Sequence, residues 1–196
     1  MAASINASTS GGVVTTADTT GNLNLQSNGT TVLAMTSAGV AVTGTQSVSG
    51  IVTASAQPAF NAIAPLQNTV TGDGTNYSVT FTTKIFDKGT NYSTSTSKFT
   101  APVTGTYSFG ANILFNGIDT SMTRAIVYLQ TTARTVELSD VNPQGIKIAT
   151  TFVMLSGSMI LPMTAGDTAL IYVSISGSGL SAGVTTQSYF WGNLLS

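Results

Sequence analysis

From Tyr107 the apolar side chains fall on every second residue, Tyr107, Phe109, Ala111, Ile113 and Phe115. An extended chain turns successive side chains to opposite faces, so this run is a strand with one buried face. The same alternation marks Tyr77/Val79/Phe81, Ile126/Tyr128 and Ala169/Ile171/Val173/Ile175. Between these runs stand Thr71-Gly72-Asp73-Gly74, Asp87-Lys88-Gly89, Ala101-Pro102, Asn142-Pro143-Gln144-Gly145 and Thr164-Ala165-Gly166-Asp167, each a turn with its own φ-permissive or φ-fixing residue. No window of a dozen residues keeps the helical spacing i, i+3, i+4, i+7 free of Gly, Pro or β-branched interruption. The pattern predicts an all-β chain folded as a sandwich or jelly roll.

A second, smaller unit precedes it. The text Leu23 to Gly44 carries short alternations, Leu23/Leu25, Leu33/Met35 and Val40/Val42, split by Asn28-Gly29 and Ala38-Gly39, which reads as a ribbon of three strands. A ribbon of this size is marginal alone and is expected to bury its apolar face against copies of itself or against the larger domain. Thr43 to Gln57 is Ser/Thr/Gly-rich and without period, the composition of a linker. The boundary is placed near Ala54, with residues 1–54 as a docking and trimerisation arm and 55–196 as a globular head. The first dozen residues are small and polar, suited to ordering only against a partner.

Charge narrows the partners. Only 7% of the residues are charged, against about 25% in an average soluble domain. Ser, Thr, Asn and Gly supply solubility instead, and such a surface is cheap to desolvate when another protein covers it. The basic residues Lys84, Lys88, Lys98, Arg124, Arg134 and Lys147 stand singly and the net charge is −1, which gives no footprint for nucleic acid. No stretch reaches the ~20 apolar residues that span a bilayer, and the N-terminus carries no secretory pattern, so neither membrane insertion nor ordinary export is expected. The absence of cysteine and histidine removes disulfides, thiolate metal sites, cysteine nucleophiles and histidine bases.

The head resembles the globular head of the complement q-type and tumour-necrosis-factor-like families over Pro58 to Leu195. The likeness rests on Pro58-Ala59-Phe60-Asn61-Ala62, on Phe86-Asp87-Lys88-Gly89 leading to Tyr92, and on Phe99-Thr100-Ala101-Pro102 followed by Gly105, Tyr107 and Phe109. Leu161, Ala165-Gly166-Asp167 and Leu170/Tyr172 continue it, and Ser188-Tyr189-Phe190-Trp191-Gly192-Asn193-Leu194-Leu195 closes it. The resemblance implies a ten-stranded jelly roll assembled as a homotrimer. Phe99, Tyr107 and Phe109 read as aromatic bulk on an inner sheet face, and Tyr107 and Phe190 are expected at the three-fold axis as well. No collagen-like Gly-X-Y stalk is present. In its place Leu23 to Gly44 is similar to the short β-repeats of bacteriophage tail-fibre and head-fibre proteins.

Few residues are candidates for chemistry. Gly179-Leu180-Ser181-Ala182-Gly183 has the spacing of a nucleophile elbow, but that motif needs a following helix and a histidine base, so it reads as a loop. Glu137 with Asp140, or Asp73 with Asp87, are conceivable carboxylate pairs in contexts that suit solvated turns. Asp73, Asp119 and Asp140 are oxygen donors available to calcium, without a ligand motif to gather them. Asn6, Asn28, Asn76 and Asn91 open Asn-x-Ser/Thr triplets that chance supplies in so Ser/Thr-rich a chain. Tyr189, Phe190 and Trp191 point to alternate sheet faces, one set to core and the other to a subunit interface or a sugar ring. No catalytic, cofactor or metal residue is assigned, and no enzyme activity is expected. The sequence reading is a homotrimeric virion surface protein, a phage fibre that docks to other virion proteins and recognises a host receptor or glycan. A capsid decoration protein and a secreted lectin- or cytokine-like ligand are the alternatives.

Overall fold

The computed structural model describes residues 23–52, 54, 56–145 and 151–196. The docking arm read in the first dozen residues, Asn6 and Lys147 lie outside them. The chain divides into two compact units, Met1–Thr53 and Ala54–Ser196.

In the first unit, β1 (Leu23–Ser27), β2 (Thr30–Thr36) and β3 (Gly39–Val42) form an antiparallel sheet in that order. Asn28 and Gly29 both take positive φ, 49° and 76°, the backbone that a tight hairpin of matching twist requires. The second hairpin turns through Ser37-Ala38, with Thr36 opposite Gly39.

The second unit is a jelly-roll sandwich. Its larger sheet runs β5 (Gln67–Thr71), β15 (Ala182–Val184), β10 (Gly105–Asn116), β16 (Tyr189–Leu194), β4 (Ala59–Ile63), β7 (Thr83–Lys88), and β13 (Val153–Met163) also pairs with β10. The smaller sheet runs β12 (Thr135–Val141), β11 (Arg124–Thr131), β14 (Thr168–Ser176), β9 (Lys98–Thr100), β8 (Tyr92–Ser93), with β6 (Tyr77–Ser78) also on β14. Seven and six strands exceed the expected ten because β6, β8, β9 and β15 are pieces of only two or three residues. Among the described residues the only helical turn is the 3-10 segment Pro143–Gly145.

The alternation of β10 puts Tyr107, Phe109, Ala111, Ile113 and Phe115 into the core, all fully buried. Their partners are aromatic: the Phe60 ring lies 4.7 Å from Tyr92, 5.1 Å from Phe99 and 4.9 Å from Phe190, in stacked and edge-on pairs. Such contacts add to plain area burial. Tyr107 and Phe190 are therefore inside the protomer rather than at a three-fold axis, which corrects the expectation for both; a ring used to join the two sheets has no surface left for a neighbour. The Tyr107 hydroxyl donates to the Val103 carbonyl at 2.8 Å and so closes the bend after Pro102.

The predicted strand Tyr77/Val79/Phe81 survives only as β6. Val79 and Phe81 are fully buried, but beyond the Val79 amide, which donates to the Ile171 carbonyl at 3.0 Å, distant side chains replace the ladder. Buried Gln67 bonds both the amide and the carbonyl of Thr80, each at 3.0 Å, while the Ser97 hydroxyl accepts from the Phe81 amide at 2.8 Å. Asp87 and Lys88, read as a turn, end β7. The chain turns at Gly89 and Thr90, both of positive φ, and the Asp87 carboxylate takes the amides of Asn91 and Tyr92.

Candidate interaction surface

Residues paired across antiparallel strands share a face, so the register draws the outer surface of the larger sheet. One row runs Ile160, Ser108, Asn193, Ala59, Lys88; the next Ser158, Gly110, Trp191, Asn61, Phe86; the next Ser156, Asn112, Tyr189, Ile63, Thr83. Met154 stands opposite Leu114 beyond them. Ile160 is 61% exposed, Met154 53% and Phe86 46%, while Trp191, Tyr189 and Ile63 are half-buried. Lys88, at one corner, is the only charged side chain in these rows. Aromatic residues and Met enriched, charge depleted, is the composition of an interface centre. A hollow lined by Leu114, Phe152, Thr185, Thr186 and Gln187 extends the surface past Met154.

Trp191 sits at the centre because its neighbour is Gly110. A Cβ at Gly110 would run into the indole, so the missing side chain lets the ring lie close over the β10 backbone. The reciprocal arrangement fills the inner face, where Gly192, opposite Phe109, leaves room for the Phe109 and Phe60 rings. Two glycines on adjacent strands thus seat one aromatic on each side of the sheet. Asn61 stands between Trp191 and Phe86, its Oδ1 buried without a hydrogen-bond partner.

The opposite sheet is different in kind. Arg124 lies on β11, and its guanidinium bonds Asp140 at 2.7 Å and Glu137 at 3.5 Å. Hydrogen bonding to Arg124 holds the Asp140 carboxyl below the usual carboxylate range. Glu137 and Asp140 belong to strand β12 and to an ion pair, not to the solvated turn expected of them, because one arginine satisfies both. Asp73 and Asp87 do not meet either: Asp73 accepts from the Thr75 hydroxyl and amide in its own loop, and Asp87 is held by Lys84 and the turn after β7. Among the described residues no three acidic groups approach one another closely enough to hold a metal.

Asp73 and Asp119 do share one end of the sandwich. Ser178 donates its amide to Gly72, Thr123 to Ser176 and Ile118 to Thr151, so the loops after β5, β10 and β14 meet at the Asn116 end of β10. The hydroxyl and amide of Ser121 bond Asp119, and those donors lower its carboxyl pKa, as Thr75 does for Asp73. Gly179–Gly183 lies here too, leading into strand β15 rather than a helix, with the Ser181 hydroxyl 2.6 Å from that of Ser178. The other end of β10 carries Pro58, whose carbonyl takes the Leu194 amide, and Ser196, whose carbonyl takes the Thr106 amide. Twelve strand residues separate the two ends, about 40 Å of extended chain.

The second unit is thus a charge-poor sandwich whose larger sheet carries an open aromatic face. The C1q domain pattern matches residues 59–195, and the chain belongs to the C1q domain family. A solved structure of the globular domain of zebrafish complement 1qA protein has a TM-score of 0.51 at 23% identity, over 71% of this chain and 98% of that one. Murine APRIL has a TM-score of 0.48 at 10% identity, over 71% and 99%. No curated protein matches the sequence. Domains of this type typically form homotrimers, are often ligands or recognition proteins, and are generally not enzymes.

Proposed function

We propose that the protein is a homotrimeric, non-enzymatic recognition head, whose copies meet through the outer face of the larger sheet. The observation that carries this reading is the row Gly110, Trp191, Asn61, Phe86, an uncharged aromatic strip left open in a single copy. Sedimentation of the full chain tests it, because the chain has one tryptophan and that residue is the centre of the strip. A trimer at micromolar concentration, with Trp191 emission shifting to the red as dilution or mild denaturant dissociates it, is the expected result. A monomer at every concentration would overturn it.

The head stands on a virion as a surface appendage, with residues 1–54 docking it to other virion proteins. The two-unit chain and the uncharged polar surface support this placement. Attachment to a host receptor or glycan is favoured over shell decoration because the loop cluster carrying Asp73, Asp119 and Ser178 lies at the end of β10 remote from Pro58, where the chain enters. Gold-antibody labelling of particles separates the roles: label at fibre tips fits attachment, label spread over the shell fits decoration, and particles without label fit a secreted ligand.

A further inference from the structure

The ribbon is amphipathic in a way its own unit does not use. Register places Leu23 beside Met35 and Val40, and Leu25 beside Leu33 and Val42, so six apolar side chains share one face. Asn24, Ala34 and Ala41 form a row of the other face. Val40 is 64% exposed, and no residue of 23–52 is buried. An apolar face left in water forgoes the burial that stabilises so small a sheet.

We propose that this face closes against the same face of the other copies in the same assembly. This rests on the trimeric reading of the head. Residues 23–52 contain no Asp, Glu, Lys or Arg, so identical ribbons meet without repulsion, and a foreign partner finds no charge to recognise. Proximity favours sister copies as well. Residues 43–58 separate β3 from β4, and Gln57 and Pro58 are already bonded to Leu194 of the head, so a Ser/Thr/Gly-rich linker of about fourteen residues at most remains, with a mean span of roughly 20 Å. Three ribbons held to one head on such tethers sit at an effective concentration on the order of millimolar, above any partner that must diffuse in.

The chain has no cysteine, so single-cysteine variants of the full chain report directly. Leu33→Cys lies mid-face on the central strand, and Ala34→Cys on the opposite face is the control; both are small replacements, and Leu25→Cys repeats the test if Leu33→Cys disturbs the ribbon. With a short bis-maleimide, Leu33→Cys is expected to cross-link at least about tenfold faster than Ala34→Cys, at a rate independent of protein concentration, as for tethered partners. Equal rates in a sample that sediments as a trimer overturn the ribbon contact and leave the head reading intact. A rate that rises with protein concentration overturns the assignment to sister copies. A variant and parent that both sediment as monomers show the failure to lie in the trimeric reading instead.

Discussion

Gly110 and Gly192 divide the aromatic residues of β10 and β16 between two tasks, and mutation separates them. Phe109→Ala empties a site between the sheets. It is expected to lower the unfolding free energy by about 3–5 kcal/mol, read from denaturant midpoints. Trp191→Ala removes a half-buried ring from the outside of the same two strands. The fold should lose much less, while the trimer dissociation constant rises by about thirtyfold or more, the size of a central interface residue worth at least about 2 kcal/mol. Equal losses of unfolding stability in the two variants, with unchanged assembly, would place Trp191 in the protomer's own core. Period two alone predicts that Phe190 faces away from Tyr189 and Trp191, and that much was legible. It does not say which face is inward, and aromatic bulk such as that of Tyr107 and Phe190 looks the same whether it joins two sheets or two chains.

Strand β10 sets an apolar face against a polar one, which is why alternation reveals it; in β11 the core side is Ala125, Val127 and Leu129, the opposite phase to the Ile126/Tyr128 alternation, because Ile126 is buried on the other side as well. Strand β13 escaped the same test for a physical reason. Val153, Leu155, Leu161 and Met163 face the core, but Met154 and Ile160 on the other side belong to the open aromatic face, and a strand apolar on both sides has no period to read. Gly157 adds a break because a Cβ there would press on the Leu138 backbone. The short β6 misled in the opposite way, since Gln67 and Ser97 take over backbone groups that the local pattern assigns to a ladder. The loops at the far end carry a pH signature of their own. Ser121 and Thr75 lower the carboxyl pKa of Asp119 and Asp73 from an ordinary 3.8. A depressed carboxyl contributes stability above its unfolded-state value and loses it as pH falls through the folded value, so these turns should loosen only below about pH 4. In Asp119→Asn the hydrogen-exchange protection of the Ser121 amide should become flat across that range. A wild-type amide equally protected at pH 2 and pH 6 would remove the carboxylate from the explanation.

Among the described residues the charges stand largely away from the surface proposed to assemble. Arg124, Glu137 and Asp140 neutralise one another on the smaller sheet, Lys84 is paired with Asp87, and only Lys88 enters the rows around Trp191. An association held by such a face depends on apolar area and shape, and salt has little to screen. The chain also lacks histidine and cysteine, the side chains that most readily change charge between about pH 5 and 8. The trimer mass is therefore expected to stay constant from about 0.05 to 1 M sodium chloride and across that pH range, with any drift toward tighter association at high salt as apolar contacts strengthen. Sedimentation at each condition checks this directly. Dissociation by added salt would mean that charged groups bridge copies, either Lys88 at the corner of this face or the Arg124 cluster, and the second would move the interface to the smaller sheet. Constancy in both series combined with loss of assembly in Trp191→Ala would leave the uncharged face as the joint that makes three heads one.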